Sequence, residues 1–445
     1  MKNKALASSE ERFFTASAFL TITLMVAAII MTITGSANSA LQNLLYPLSL
    51  GCAAASVVIG IIALLAFGIV NHYYKSIRYG NAYARMRYGI RRALAEAGYC
   101  ETDSLGNIRI PKTKEEFSDD LKSGKLLIRN SIHFDKPLEK ENISSGLGTY
   151  VIERFYLSDD QNWYVYEFYD HRTMRQLQIN TYEDFHKLAA QEGRYSVFID
   201  NRSSAKLQHM LIVGATRSGK TYMLYSLILQ MVLKKPFYGL RYHLYFADPK
   251  QSSLWIAGNR MDLKYNASST EDIINALTAF RDAMMKRSEE MIPLLRSTID
   301  GDYRSFNLEP HIFIFDEFAA FMGSLQTLPK ADRDKVMSLL KDVVLMGAQL
   351  GFFMVVVMQK SDSTSLPTMI RDSMTFKIVL GSAEDTTYTT AFGPSPVIPI
   401  HDYKTGQGVF TNAGYVNTPK IAMLPTWNFD IVTAFARTLN EAGSL

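Results

Sequence analysis

The sequence predicts an α/β fold, a parallel sheet wrapped by helices that carries a phosphate-binding loop. A small α+β domain and an N-terminal pair of membrane-spanning helices are expected before it. Three observations lead there. Gly214-Ala215-Thr216-Arg217-Ser218-Gly219-Lys220-Thr221 fits the pattern G-x-x-x-x-G-K-[ST], between the apolar run Met210 to Val213 and a helical stretch from Tyr222 to Leu229. From about Leu207 onward strand-like and helix-like segments alternate, as a parallel sheet requires. The 62 residues from Phe13 to Tyr74 contain no Asp, Glu, Lys or Arg.

The uncharged stretch divides at Gly35 to Asn43, which is small and polar and reads as a loop. The flanking segments, about Phe13 to Thr34 and about Leu44 to Val70, each exceed the roughly 20 residues that span a bilayer. Lys2, Lys4 and Arg12 precede the first span. Lys75, Arg78, Arg85, Arg87, Arg91 and Arg92 follow the second, and the connecting loop is uncharged. Positive flanks on both sides put both termini in the cytoplasm. The expected organisation is a cytoplasmic N-terminus (1–12), two spans (13–74) and a basic juxtamembrane segment (75–95), which reads as the positive-inside anchor or as a DNA-contacting neck.

Composition bounds the remaining possibilities. The chain has 445 residues, 47% of them hydrophobic, enough for two or three folded domains. Lys plus Arg number 47 against 43 Asp plus Glu, a formal +4, so no global basic field marks a nucleic-acid binder. Cys52 and Cys100 are too few for a disulfide framework or a zinc site. Between 96 and 202 short runs such as Leu126–Arg129, Tyr150–Phe155 and Trp163–Tyr169 alternate at strand spacing and predict the small α+β domain.

The α/β domain is expected over 203–420. Tyr242–Phe246 reads as its second strand and ends at Ala247-Asp248-Pro249-Lys250; Ser269-Thr270-Glu271-Asp272 opens a helix whose core stripe is Ile273, Leu277, Phe280 and Met284. His311–Phe315 delivers Asp316-Glu317 to the carboxyl edge of the sheet, where such sheets bind ligands. Adjacent acids there divide labour. Asp316, with the Thr221 hydroxyl, holds Mg²⁺, and Glu317 positions and deprotonates the attacking water. The residues from Gly214 to Thr221 wrap a polyphosphate with backbone N–H groups, and Lys220 reaches the β- and γ-phosphates. The expected substrate is therefore a nucleoside triphosphate, with Mg²⁺ as its cofactor. Gly351–Met358 is the last core strand, and Gln359 after it either senses the γ-phosphate or simply ends the strand.

These motifs in series resemble the motor domain of FtsK/SpoIIIE-type DNA translocases: the loop, Ala247-Asp248-Pro249-Lys250, Phe315-Asp316-Glu317-Phe318, and Met358-Gln359-Lys360 followed by Ile370-Arg371-Asp372-Ser373. The resemblance spans about Leu207 to Asn412, and two spans with a single motor are most similar to the coupling proteins of Gram-positive conjugative elements (TcpA-like). It implies a RecA-like ATPase domain, a homo-hexameric ring with DNA in its pore, and an arginine finger in trans. Arg371 is the candidate finger, or else a partner of Asp372. Two positions depart from the family: Ala348 stands where many relatives carry an arginine, and Arg217 replaces a glycine within the loop. Only a C-terminal helix is expected over 421–445, which leaves no room for a module that reads DNA sequence. Lys330, Arg333 and Lys360 are possible pore contacts, with backbone phosphates as the target. The expectation is a cell-membrane ATPase that pumps the DNA of a conjugative plasmid or integrative element into a secretion channel, with relaxase and channel proteins as partners. Its rivals are a protein-export ATPase of the type VII secretion kind and a nucleotide-gated scaffold that recruits relaxase.

Overall fold

A computed structural model describes residues 9–102, 108–130, 143–173, 176–296, 300–361 and 365–443. Lys2 and Lys4 lie outside the described residues, as does the side chain of Arg12. The chain divides into two compact units, Met1–Met174 and Arg175–Leu445.

The first unit opens with two long apolar helices, α1 (Ser9–Ala37) and α2 (Ser39–Val70). Their membrane-length portions, Phe13–Ala37 and Ala40–Val70, are almost entirely exposed in the isolated chain. They form a two-span membrane anchor that leaves the rest of the chain on the cytoplasmic side. The expected loop from Gly35 to Asn43 shrinks to a break at Asn38. Its small residues are compatible with helix, and the Asn38 side chain accepts from the Ala40 N–H to start α2. Ser56 Oγ donates to the Thr21 carbonyl at 3.0 Å, tying the two spans together. Helix α3 (Ile77–Glu96) follows, capped by Ser76, and buries Tyr79, Tyr83, Met86, Ile90 and Leu94.

The remainder of this unit has two two-residue strands, β1 (Glu101–Thr102) and β2 (Ile108–Arg109), then β3 (Thr113–Phe117), β4 (Ser123–Arg129), the short α4 (Ser144–Leu147), β5 (Tyr150–Leu157) and β6 (Trp163–Asp170). Strands β3, β4, β6 and β5 pair antiparallel in that order. Phe117, Tyr150 and Phe168 form an edge-on aromatic cluster on one face, the cross-strand packing that the alternating aromatics predicted.

The second unit begins with β7 (Gln178–Ile179), α5 (Tyr182–Gln191), β8 (Ser196–Asp200) and β9 (Ser203–Lys206). Next come β10 (Met210–Gly214), α6 (Lys220–Tyr238), β11 (His243–Ala247), α7 (Ser253–Arg260), β12 (Asn266–Ala267) and α8 (Thr270–Leu295). They are followed by β13 (His311–Phe315), α9 (Phe318–Leu325), α10 (Lys330–Leu350), β14 (Phe352–Met358), α11 (Thr368–Ser373) and β15 (Phe376–Leu380). The unit closes with α12 (Asp385–Phe392), β16 (Gln407–Asn412), β17 (Val416–Met423), β18 (Thr426–Trp427) and α13 (Ile431–Ala442). Six strands pair in parallel in the order β12-β11-β13-β14-β10-β15, and β16 and β17 extend the sheet antiparallel. Every residue of β10 and β14 is buried, the continuous apolar pattern of a parallel strand covered on both faces.

The expected domain boundary lies at 203, whereas this unit starts at Arg175. The difference has a cause in α6. Gln230, fully buried on that helix, accepts from the Phe198 N–H at 2.8 Å and donates to the Phe198 carbonyl at 3.2 Å. Lys234 Nζ donates to the Gly193 carbonyl at 3.0 Å. Two polar side chains thus bind the segment 193–198 to the helix that follows the phosphate loop, and Phe185, Val197 and Ile199 join its core. Helix α8 starts as expected, with Ser269 accepting from the Asp272 N–H, and its stripe of Ile273, Leu277, Phe280 and Met284 is fully buried.

His209, immediately before β10, is 2% exposed. Its Nδ1 accepts from the Met354 N–H at 3.0 Å, whereas Nε2 has no partner among the described residues. Burial holds its pKa down to about 4. Because the folded value lies below the unfolded one, the stability this neutral ring contributes is complete above pH 6.5 and is lost as pH falls towards 4. Denaturant titrations of the full chain at about pH 7 and about pH 4.5 should show that His209→Gln removes about 2 kcal/mol of the acid-induced loss seen in the parent. An identical loss in both proteins would contradict this assignment.

Candidate nucleotide site

The site is built at the carboxyl edge of the parallel strands. Strand β10 delivers Gly214, and α6 begins at Lys220, so the intervening residues must reverse direction within one tight loop. Its backbone shows how. Arg217 and Gly219 adopt left-handed φ values of 69° and 108°. A side chain on Gly219 would be strained and would bring a Cβ to 2.9 Å from the Gly406 nitrogen. At Gly214 a Cβ would collide with Ser218 Oγ and lie 2.8 Å from the Leu380 carbonyl. Ser218 Oγ is buried with no partner among the described residues, and the side chains of Ala215, Thr216, Arg217 and Thr221 are exposed.

Behind the loop stands a turn that sequence reasoning missed. Gly406 N–H donates to the Ser218 carbonyl at 2.8 Å, and Thr405 Oγ1 donates to the Arg217 carbonyl at 3.1 Å. These bonds tie two loop carbonyls to the turn behind the loop. Only the glycine at 406 hinted at it.

Lys220 Nζ donates to the Gly214 carbonyl and, at 3.0 Å, to the Ala215 carbonyl. Its pKa is lowered, chiefly by burial, while Glu317 and Asp316 pull it back up. Asp316 follows β13, two strands from β10, and its N–H donates to the Ala247 carbonyl at 2.9 Å. Burial, reinforced by the charge of Asp248, pushes its pKa up. A buried acid beside another acid favours the approach of a cation. Among the described residues no cluster of three metal-ligating side chains occurs. Mg²⁺ needs none, since it takes one or two protein oxygens and completes its shell with phosphate and water. Thr221 and Asp316 match that requirement.

Glu317 occupies left-handed backbone, φ 58° and ψ 56°, at the start of α9. That conformation is costly for a residue with a side chain, and such strain clusters at active sites. Its Oε2 meets Lys250 Nζ at 3.0 Å. The sequence motif around Asp248 includes Lys250 but suggests no role for it. Lys250 sits on a loop held rigidly by Asp248, which is fully buried. Asp248 accepts from the Lys250 N–H at 3.1 Å, the Ser252 N–H at 2.7 Å, Ser252 Oγ at 2.8 Å and the Trp255 N–H at 3.2 Å. Ser252 Oγ also lies 3.3 Å from Asp316 Oδ2. The loop after β11 therefore supports both acids at once, one through Ser252 and the other through Lys250.

Gln359 follows β14 at the same edge and is exposed; Val213 pairs with Met358, so the amide flanks the start of the phosphate loop. Arg371 is elsewhere. It lies on α11, shortly before the amino end of β15, and its Nε binds Asp372 at 2.8 Å. Within one chain it is not brought to the loop. Lys360 pairs with Glu384 at 2.7 Å, and Arg333 Nη1 donates to Gln326 at 3.1 Å. Gln349 and Ala348 are exposed near the end of α10.

The edge thus gathers a tight glycine-containing loop, a lysine, a hydroxyl and two acids, the equipment of a phosphate-binding α/β ATPase. Residues 181–309 match the model of the FtsK/SpoIIIE family, a stretch that contains the loop and Asp248 to Lys250 and ends before Asp316. Over that stretch the chain is similar to the FtsK/SpoIIIE family. It is 32% identical over 209 residues to the FtsK domain-containing protein YdcQ of Bacillus subtilis; the match covers 47% of this chain and 41% of that protein, so the chain spans about two fifths of the relative's length. Among solved structures it is similar to the pCW3 conjugation coupling protein TcpA in its monomer form with ATPγS, at 14% identity and a TM-score of 0.48, over 80% of this chain and 99% of that one. It is also similar to EssC (ATPases 2 and 3) from Geobacillus thermodenitrificans, at 14% identity and a TM-score of 0.43, over 54% and 45%.

Lys250→Met should lower kcat for ATP hydrolysis by about tenfold and leave KM within about twofold, whereas Lys250→Arg should keep most of the rate, because the cation orients the Glu317 carboxylate rather than holding substrate. Steady-state kinetics decide it; a pure KM effect would show that Lys250 binds nucleotide instead.

Proposed function

We propose that this chain is a membrane-anchored ATPase that pumps DNA, acting as the coupling protein that feeds the DNA of a conjugative plasmid or integrative element into a secretion channel. The observation that carries the reading is the meeting of Lys220, Asp316 and Glu317 at one sheet edge, in a chain that is similar to the FtsK/SpoIIIE family and also has two membrane spans. Attraction between Lys220 and both acids acts across that edge.

The loop from Gly214 to Thr221 holds the triphosphate through its N–H groups and the positive end of α6. Lys220 exchanges the Gly214 and Ala215 carbonyls for phosphate oxygens. Thr221 and Asp316 would hold Mg²⁺, which would supply charge neutralisation to the phosphates. Glu317 takes a proton from the attacking water, whose oxygen forms the new bond to the γ-phosphorus as the bond to the ADP oxygen breaks. Gln359 stands where it can donate to the γ-phosphate. Arg371, remote from the loop of its own chain, serves a neighbouring copy in a ring, so complete sites form only in the homo-hexamer.

The cargo reading rests on the resemblance to translocases that move DNA; with a formal charge of +4, any grip on backbone phosphates is confined to a local pore. Relaxase and channel proteins would be the partners at the two ends of the path.

Glu317→Gln should cut ATP turnover by about 10² to 10⁴ while nucleotide still binds, and Lys220→Ala should abolish binding. In a triplex-displacement assay the parent protein should strip the third strand only with ATP, and its hydrolysis should rise with DNA. Hydrolysis without any DNA stimulation or displacement would refute the pump and leave an ATPase with another cargo. Undiminished DNA transfer in cells carrying Glu317→Gln would favour a scaffold.

A further inference from the structure

The strand order gives a bound nucleotide a direction. Asp316 and Glu317 leave β13, which lies beyond β14 on one side of β10, whereas β15 and β16 lie on the other side. The γ-phosphate belongs with the two acids. The nucleoside of an elongated molecule centred on the loop must then leave over the β15 and β16 side.

What stands there is the turn Lys404 to Gln407, bonded to the loop carbonyls of Arg217 and Ser218, and the ring of Tyr222. Tyr222 follows Thr221 directly, and 47% of it is exposed. It lines a narrow cleft with Phe198, Leu424, Pro425 and Trp427, and of the aromatics there it is the exposed one, Phe198 and Trp427 being buried. Trp427, 9% exposed, meets the Tyr222 ring edge-on at 6.4 Å and is itself stacked on Phe429 at 5.2 Å. Tyr222 is therefore braced from within, yet nearly half of it faces solvent beside the phosphate loop. A flat ring in that position has little to offer a phosphate and much to offer a base, because every base has a π-face that stacks on an aromatic.

We infer that Tyr222 is the base-stacking residue of the nucleotide site, with the ribose passing over the Lys404–Gly406 turn and a purine laid on the exposed part of the ring. This rests on the nucleotide reading above and adds the specificity element to it. Stacking is a contact to the base alone, so it separates a nucleotide from a bare polyphosphate chain.

Calorimetric titration of the full chain in lipid nanodiscs with Mg²⁺ tests the assignment, using a non-hydrolysable ATP analogue and inorganic tripolyphosphate as the two probes. Tyr222→Ala should weaken the ATP analogue about tenfold and leave tripolyphosphate within about twofold, and Tyr222→Phe should restore the analogue. Equal weakening of both probes would show that Tyr222 acts by shaping the phosphate loop, and unchanged analogue binding would show no contact; either overturns the inference. A parent protein that binds neither probe would instead overturn the nucleotide reading beneath it.

Discussion

The burial of β10 between β14 and β15 is the constraint on which the rest of the second unit depends. All five residues of that strand are out of water, and its backbone is paired on both sides, so the position and direction of Gly214 are set by the sheet core. The loop after it has no freedom to drift. It is gripped from behind by Thr405 and Gly406, which belong to the connection between β15 and β16. A sheet that places three strand ends side by side thereby brings Lys220, Asp316 and Gln359, far apart in sequence, to one place.

The polar contacts at that edge share a property. Lys220 is bonded to loop carbonyls, Glu317 to Lys250, and Asp316 lies near Ser252. Each of these three groups has an internal partner that a nucleotide, a cation or a water would replace. Burying charges without partners is costly, so these contacts keep the edge compatible with folding. They also make binding an exchange of partners. Asp248 organises the exchange without touching it, since its four accepted hydrogen bonds hold the loop that carries both Lys250 and Ser252.

Much of this was legible in the sequence because it depends on local pattern. Glycines at fixed spacing, an apolar run before them and two acids after another apolar run place the loop and the edge without any knowledge of contacts. The start of α8 was equally readable, since Ser269 caps it by a bond only three residues long. The membrane spans followed from an absence of charge, and only the loop between them was overestimated, because residues such as Ala37 and Ser39 extend the helices up to Asn38. The long-range pairings could not be read. Lys250 meets Glu317 across 67 positions, and Thr405 meets Arg217 across 188, with no periodicity to announce either. The start of the second unit was hidden for the same reason: Gln230 and Lys234 are polar residues in a helix interior, and nothing local says that they clasp residues 193–198.

Everything proposed for the second unit requires the carboxyl edge holding Lys220, Asp316 and Glu317 to be a Mg²⁺-nucleotide site. A high-resolution structure of the full chain with Mg²⁺ and a non-hydrolysable ATP analogue tests this most directly. It should show phosphate oxygens on the N–H groups of residues 215–221, Lys220 Nζ moved from the Gly214 and Ala215 carbonyls to the γ-phosphate, and a cation between Thr221 and Asp316. A nucleotide bound elsewhere, with Lys220 still on those carbonyls, would contradict it.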